Sequence, residues 1–338
     1  MTPASNERSI MRTMHASVRH RYGTPDVLAY QEVAVPVPGD HDVLVQVHAA
    51  GVSIGDHHIL TGTPYVIRPS VGGLLRPKHQ IPGSCMAGRV EAVGAQVTNL
   101  RPGDEVYGET TNGAFAEYVV VPAARLAPKP RNLSFAEAAA TPWAVTPLQA
   151  LRDAGRLQAG QNVLINGASG GVGTWAVQIA KALGARVTAV CSTRNVARMR
   201  GLGADAVIDY TTTDFVTLGP RFDVMLDTVG NRSLSDCRRM LAPKGIFVSC
   251  SSGTSGTRWL ARMVWMLLTS RFTTRKLKPF VVSLNQRDLL VLTELVEAGK
   301  IKPFIERTFP LRDLAAALRH VGAGHAQGQT VIRIRDET

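Results

Sequence analysis

Asn162-Val163-Leu164-Ile165-Asn166-Gly167-Ala168-Ser169-Gly170-Gly171-Val172-Gly173 sets three kinds of residue in an informative order. Val163, Leu164 and Ile165 make a short apolar run that suits a buried strand. Gly167, Gly170 and Gly173 then mark a turn kept clear of side chains. Beyond the turn, Val172, Trp175, Ala176, Ile179, Ala180 and Leu183 fall on one face of a helix, and Gly184 follows as a C-cap. Strand, glycine turn and helix in this order form the first unit of a dinucleotide-binding fold. The glycines let the chain turn, let a pyrophosphate approach the backbone and let the helix pack on the strand. The helix N-terminus offers free N–H groups and the positive end of its dipole to the phosphates. The spacing is Gly-x-x-Gly-x-x-Gly rather than the commoner Gly-x-Gly-x-x-Gly, so the context has to decide.

The context agrees. Further strands are expected at Arg186–Val190, Ala206–Ile208, Val224–Leu226, Ile246–Val248 and Phe280–Val282, with a short helix over Asn195–Leu202 that ends at Gly203. Alternation of this kind predicts a parallel, doubly wound sheet. The end of the second strand selects the cofactor. A site for NAD places Asp or Glu there, about 20 residues after the glycine turn, to hold the ribose 2′-hydroxyl. Here that place reads Cys191-Ser192-Thr193-Arg194-Asn195, and no acid occurs before Asp205. Hydroxyls and a guanidinium suit a 2′-phosphate, because Arg makes forked, charge-assisted hydrogen bonds. NADPH is the expected cofactor, held by Ser192, Thr193 and Arg194 with Tyr210 nearby.

Length and composition are consistent with this. A chain of 338 residues suits two domains, and 45% hydrophobic residues suffice for ordinary packed cores. No apolar run approaches the roughly 20 residues of a spanning helix. Met1–Thr13 lacks the apolar centre of a signal peptide and reads as a loose tail. Cys85, Cys191, Cys237 and Cys250 show no paired spacing, which fits reduced thiols in the cytoplasm. Before the glycine turn, short runs broken by Gly and Pro recur at Ala29–Val35, Asp42–Val47, Ala87–Val93, Asp104–Tyr107 and Ala116–Val121. They predict a partly closed β-barrel.

Five further stretches carry a family resemblance: Tyr22–Leu28, Ala49–Asp56, Gly103–Gly108, Gly113–Tyr118 and Asp227-Thr228-Val229-Gly230-Asn231. With the glycine turn, and in this order, they resemble the zinc-independent, quinone oxidoreductase-like side of the medium-chain dehydrogenase/reductase superfamily. The likeness runs from about His15 to Ile334. It implies a GroES-like catalytic domain over residues 15–137 and 302–338 and a Rossmann NAD(P)-binding domain over 138–301, after a tail over 1–14. Thr308–Leu311 and Thr330–Ile334 would be late strands of the catalytic domain, and the active site would be the cleft between domains. The cofactor-binding set expected on this basis is Thr146, Gly167, Ala168, Ser169, Gly170, Gly171, Val172, Gly173, Ser192, Thr193, Arg194, Tyr210 and Val229.

Zinc-dependent relatives bind catalytic zinc through a Cys in the first cleft motif and through Gly-His-Glu. This chain has Ser53 and Gly83-Ser84-Cys85 at the matching places, and it runs from Tyr107-Gly108 straight to Gly113-Ala114-Phe115 where relatives insert a four-cysteine lobe. Tetrahedral zinc needs three or four ligands, and Cys85 alone makes no such cage. No metal is expected. Without a Lewis acid the remaining chemistry is direct hydride transfer to a readily reduced acceptor, a quinone or an α,β-unsaturated carbonyl. Ser53, Asp56 and Tyr65 are the polar groups expected near the nicotinamide. Related enoyl reductases carry a catalytic Tyr one residue closer to the position of Asp56; a tyrosine that packs on the cleft rim is the alternative for Tyr65. Asp56 has a structural alternative as the acid that fixes the cleft loop, and His57 and His58 read as surface or packing residues. Relatives usually carry Asp at Cys85, and often Gly-Lys at Gly328-Gln329.

The net charge is +12, and Arg258–Lys278 is basic and apolar without an acid. No nucleic-acid motif accompanies it. An insertion over the cleft or a subunit interface, with a solvated basic rim, is the preferred reading; peripheral membrane contact is the other. Val71–Leu75 suits either a hydrophobic substrate wall or a packing loop. A homodimer is expected. Two classes of function stay open: an NADPH-dependent reductase of quinones or activated alkenes, with alcohol dehydrogenase activity as its runner-up, and a cofactor-binding structural or regulatory protein without turnover.

Overall fold

The computed structural model describes residues 12–65, 68–69, 73–217, 219, 222–251, 262–266, 268, 274–324 and 326–336. Six parallel strands form the nucleotide sheet: β1 (Asn162–Asn166), β2 (Arg186–Cys191), β3 (Ala206–Asp209), β4 (Phe222–Asp227), β5 (Leu241–Ser249) and β6 (Lys276–Pro279). Their order in the sheet is β3-β2-β1-β4-β5-β6. Winding reverses between β1 and β4, and a crevice opens beyond the carboxyl ends of the strands at such a point. The middle of β1, Val163-Leu164-Ile165, is apolar because both its faces are covered. Val163 and Ile165 join the core containing Trp175 and Ile179, while Leu164 joins the one containing Met225 and Phe247.

The sixth strand lies earlier than the apolar triplet Phe280-Val281-Val282 suggests. It covers Lys276–Pro279 and pairs with Ile246–Ser249, whereas Val281 is exposed. Leu277 supplies the buried anchor, and the Lys278 ammonium reaches the Ala154 carbonyl at 2.7 Å. Lysine stems can cover apolar surface while their heads find oxygen, so a lysine-rich run can be a strand.

The second domain is a mixed, mostly antiparallel sheet of seven strands that curls into a partly closed barrel. Its organiser is the long strand Asp42–Val52. The first part of this strand pairs with Tyr118–Pro122, the last part with Gln329–Arg333, and its other edge with Cys85–Val93. Register irregularities between Leu44 and Val45 and between Val47 and Ala49 let it bend, as bulges do. Val43, Val45, Val47, Met86, Phe115, Leu126 and Ile332 fill the interior. Ile305–Pro310 and Gln329–Arg333 bring the chain back into this sheet. Thr13 and Met14, expected in the tail, stand in the strand Thr13–Val18, where Met14 is buried. Tyr107 of the barrel donates to the Leu289 carbonyl at 2.6 Å and so ties the barrel to the helix Gln286–Glu297. Among the described residues, no helix is long and apolar enough to cross a membrane.

Candidate active site

The glycine turn behaves as its sequence requires. Gly167 has φ +81°, and a Cβ there would stand 2.4 Å from Thr228 Oγ1. A Cβ on Gly173 would stand 2.1 Å from the Gly167 carbonyl oxygen, because the helix Gly171–Ala182 rests directly on the turn. Gly170 differs: the nearest protein atom to its added Cβ is the Gly167 oxygen at 3.6 Å. Gly170 is the N-cap of that helix and supplies no capping side chain. The first N–H groups of the helix therefore have no capping oxygen, and the space in front of Gly170 is open. That combination fits a pyrophosphate.

This turn forms one wall of a cleft of about 1100 Å³ between the two sheets. Of the expected residues, Gly167, Ser169, Gly170, Gly171, Val172, Gly173, Tyr210 and Val229 line it, together with Ser53 and Tyr65. Ala168 is buried just behind, and its N–H bonds the Val190 carbonyl at 3.1 Å, which fixes the turn against β2. Thr146, on the short helix Val145–Gln149, is not on the lining.

Ser53 and Asp56 form a capping box at the start of the helix Ile54–Thr61. Asp56 Oδ2 accepts from Ser53 N at 2.8 Å and from Ser53 Oγ at 2.9 Å. Its Oδ1 meets Ser84 Oγ at 3.5 Å. Asp56 is buried and lies behind Ser53, off the cleft lining. It holds the cleft loop, and only Ser53 of the pair faces the cleft. Burial pushes the Asp56 carboxyl up to about 6, against the pull of the Ser53 and Ser84 hydrogen bonds. Tyr65 is 69% exposed at the cleft mouth, with the Arg68 guanidinium 4.4 Å from its ring centre. His58, read from sequence as a surface or packing residue, lines the cleft, and burial lowers its pKa. His57 packs against Gly322.

Profiles of two families match the chain: the alcohol dehydrogenase GroES-like domain over residues 39–131 and zinc-binding dehydrogenase over residues 202–332. The chain is 34% identical over 343 residues to a 2-methylene-furan-3-one reductase of Solanum lycopersicum, covering 97% of this chain and 81% of that one. It is 33% identical to a chloroplastic quinone-oxidoreductase homolog of Spinacia oleracea, covering 95% of this chain and 98% of that one. The quinone oxidoreductase structure from Coxiella burnetii superposes with a TM-score of 0.84 at 28% identity, over 96% of this chain and all of the other. The chain belongs to the medium-chain dehydrogenase/reductase superfamily, on its quinone oxidoreductase-like side.

In this member of the superfamily Ser53 and Ser84, at the zinc-ligand places, both turn their hydroxyls to Asp56. Among the described residues, no group of three or more His, Cys, Asp and Glu side chains could hold a metal ion. Of the residues expected to select the cofactor, Ser192, Thr193 and Arg194 follow the end of β2 but are not on the cleft lining, whereas Tyr210 is. Arg194 and Thr193 are exposed, and Thr193 Oγ1 lies 2.8 Å from Thr211 Oγ1. Sequence reasoning missed Asp209, the last residue of β3, paired in register with Cys191. Hydrogen bonds from Thr193 and Thr211 hold its carboxyl below the usual carboxylate range. The acid noted from sequence, Asp205, sits at the other end of β2, bonded to Val187 N and Lys181. Asn166, Asn231 and Ser251 also line the cleft without having been expected there, and Gln329, noted from sequence for the Lys that relatives often carry, lines it as well. Asn166 Nδ2 donates to Asp227 at 2.9 Å and to Asn231 at 3.0 Å, which shapes the Asp227–Asn231 loop.

Other expectations concern the basic segment and the apolar loop. Residues 252–261, 267 and 269–273 lie outside the described residues, as do 70–72. Of the basic side chains that are described, Arg262 turns inward to the Arg232 carbonyl and Asp227, and Arg275 to the Ala242 carbonyl. Those two arginines are thus turned inward, whereas Lys276 is exposed. Leu74 and Leu75 are exposed and off the cleft lining, because Tyr22 and Arg68 tether that loop through the carbonyls of Gly73 and Leu74.

Proposed function

We propose that the protein is an NADPH-dependent reductase of quinones or α,β-unsaturated carbonyls that works without zinc. One observation carries the reading: an uncapped helix N-terminus with open space before Gly170 shares one cleft with Ser53 and Tyr65. Ser169 to Gly173 would hold the pyrophosphate, Val229 and Gln329 the walls beside it, and Ser192, Thr193, Arg194 and Tyr210 the 2′-phosphate. The reduced nicotinamide supplies a hydride when bound. The chain's own task is to hold the acceptor over it, exclude water and supply a proton to the oxygen that gains charge. Ser53, which lines the cleft, would be the hydroxyl that supplies it. The apolar residues Val52, Ile54, Pro64 and Val321 suit a hydrophobic conjugated acceptor.

The relatives' names point the same way, one as a reductase of a 2-methylene-furan-3-one and another as an NADPH-dependent alkenal/one oxidoreductase of Arabidopsis thaliana. Oxidation of NADPH against a panel of quinones and enones tests the proposal. Turnover of several of them and none of simple alcohols is expected. Tight NADPH binding without any turnover would instead favour a structural or regulatory role. Elemental analysis of the purified protein should find far less than the roughly one zinc per chain of a catalytic site.

A further inference from the structure

A second, smaller chamber adjoins the cleft. Asp56, Ser84, Glu109, Thr110 and Arg125 line it, and Trp143 stands on the linings of both cavities. Its volume is about 350 Å³, room for several waters. Ser53 belongs to the main cleft and not to this chamber; Asp56 belongs to this chamber and not to the cleft. The Ser53 Oγ to Asp56 Oδ2 hydrogen bond, 2.9 Å long, therefore joins the two cavities. Glu109 is a buried carboxyl on the strand beside Cys85, facing the same chamber as Asp56. Asp56 fixes the cleft loop, and Glu109 adds a second buried carboxyl to the same chamber.

We propose that Ser53, Asp56 and Glu109 form a proton relay that carries a proton from water in the second chamber to the substrate oxygen in the cleft. The proposal rests on the reductase reading above. The hydride adds to the electrophilic carbon with its electron pair, and the carbonyl oxygen that gains the charge forms an O–H bond with the Ser53 proton. Ser53 Oγ takes the proton of Asp56, Asp56 takes one from Glu109 through water in the chamber they share, and Glu109 recovers it from that water, whose hydroxide leaves to solvent. One hydride and one water-derived proton are consumed, and the three residues end as they began. Only Ser53 meets the substrate; Asp56 and Glu109 act through it.

The surroundings keep a proton available. Burial, then the charge of Asp56, pushes Glu109 up to about 8, while Arg125 pulls it down. The charge of Asp56 also acts on the buried Arg19, and burial, with the charges of Glu109 and Asp56, keeps the Cys85 thiol neutral. His57 and His58 share the Asp56 helix, with pKa values lowered by burial. Between about 6 and about 8 the pair holds one proton in common.

Infrared titration of the cofactor-free protein and steady-state kinetics test this together. In the parent, a carboxylic-acid C=O band should persist at neutral pH and vanish with a midpoint near about 8, and Glu109→Gln should leave only a loss near about 6. With NADPH and a quinone, the alkaline fall in kcat should move in the same way, with an unchanged KM for NADPH, and Glu109→Asp should restore part of the profile. No carboxylic-acid band in the parent at neutral pH would overturn the relay without any variant being needed. Turnover with an unaltered pH profile in Glu109→Gln would overturn the relay alone. No turnover with any quinone or enone would overturn the reductase reading and the relay with it.

Discussion

Gln329 Nε2 donates to the Gly171 carbonyl oxygen at 2.7 Å, joining the last barrel strand to the first turn of the cofactor helix. Relatives often carry Lys at this place; here an uncharged amide holds the two domains together at the cofactor cradle. The antiparallel pairing of Gln329–Arg333 with the end of Asp42–Val52 sets the geometry, since that end leads directly into Ser53. One strand pair thus positions both the cleft hydroxyl and the clamp on the glycine turn.

Gln329→Ala should therefore weaken NADPH binding while leaving the fold intact. Gly171 O keeps the Thr174 hydroxyl as a partner at 3.1 Å, so no buried acceptor is stranded. A lost hydrogen bond of about 0.5–1.5 kcal/mol corresponds to about a 2–10-fold rise in Kd. Fluorescence titration with NADPH measures this, and an unchanged Kd would show that the clamp does not shape the cofactor site.

Two glycines of the turn should fail in different ways. In Gly170→Val the new Cβ meets no protein atom closer than 3.6 Å, so its melting temperature should stay near the parent value while cofactor binding disappears. Gly173→Ala places a methyl 2.1 Å from the Gly167 oxygen and must lift the helix from the strand. Overpacking of that kind costs about 1–3 kcal/mol, visible as a lower melting temperature even without cofactor. A stable Gly170→Val that still binds NADPH would remove the pyrophosphate from this turn.

The contrast shows which features a sequence carries. The glycine turn and the alternation of strands and helices were legible because periodicity and spacing encode them locally, and the cleft between domains followed from the family resemblance. Asp209 was not, since it reaches the end of β2 only through the parallel pairing of β3. Glu109 was hidden similarly, inside a strand that pairing sets beside Cys85. The sixth strand was misplaced because Lys276-Leu277-Lys278 looks like surface, although Leu277 is buried and Lys278 bonds the Ala154 carbonyl. Asp56 was legible as a residue of the cleft loop, but not in its direction, which the capping box fixes.

Cofactor choice is open to direct test. NADPH should bind more tightly than NADH, and Arg194→Ala should cost NADPH about 10–100-fold, the worth of a charged hydrogen bond of about 1.5–3 kcal/mol. NADH affinity should hold. Equal affinities in the parent, measured by titration of both cofactors, would mean that Asp209 and its threonine partners dominate the end of β2 instead.

Tyr65 is the remaining candidate for proton donor, and its placement argues for a lesser role. It is largely exposed at the cleft mouth, with the Arg68 guanidinium stacked on its ring. A donor in that position competes with water, whereas Ser53 is backed by a buried carboxyl. Tyr65→Phe keeps the ring and its stacking and deletes only the hydroxyl. It should raise KM for the acceptor modestly and lower kcat by less than the roughly 10²–10⁴-fold typical of a lost general acid. Ser53→Ala should fall within that range. Steady-state kinetics on both variants decide the assignment, and the reverse ranking would make Tyr65 the donor and Ser53 a loop-fixing residue alone.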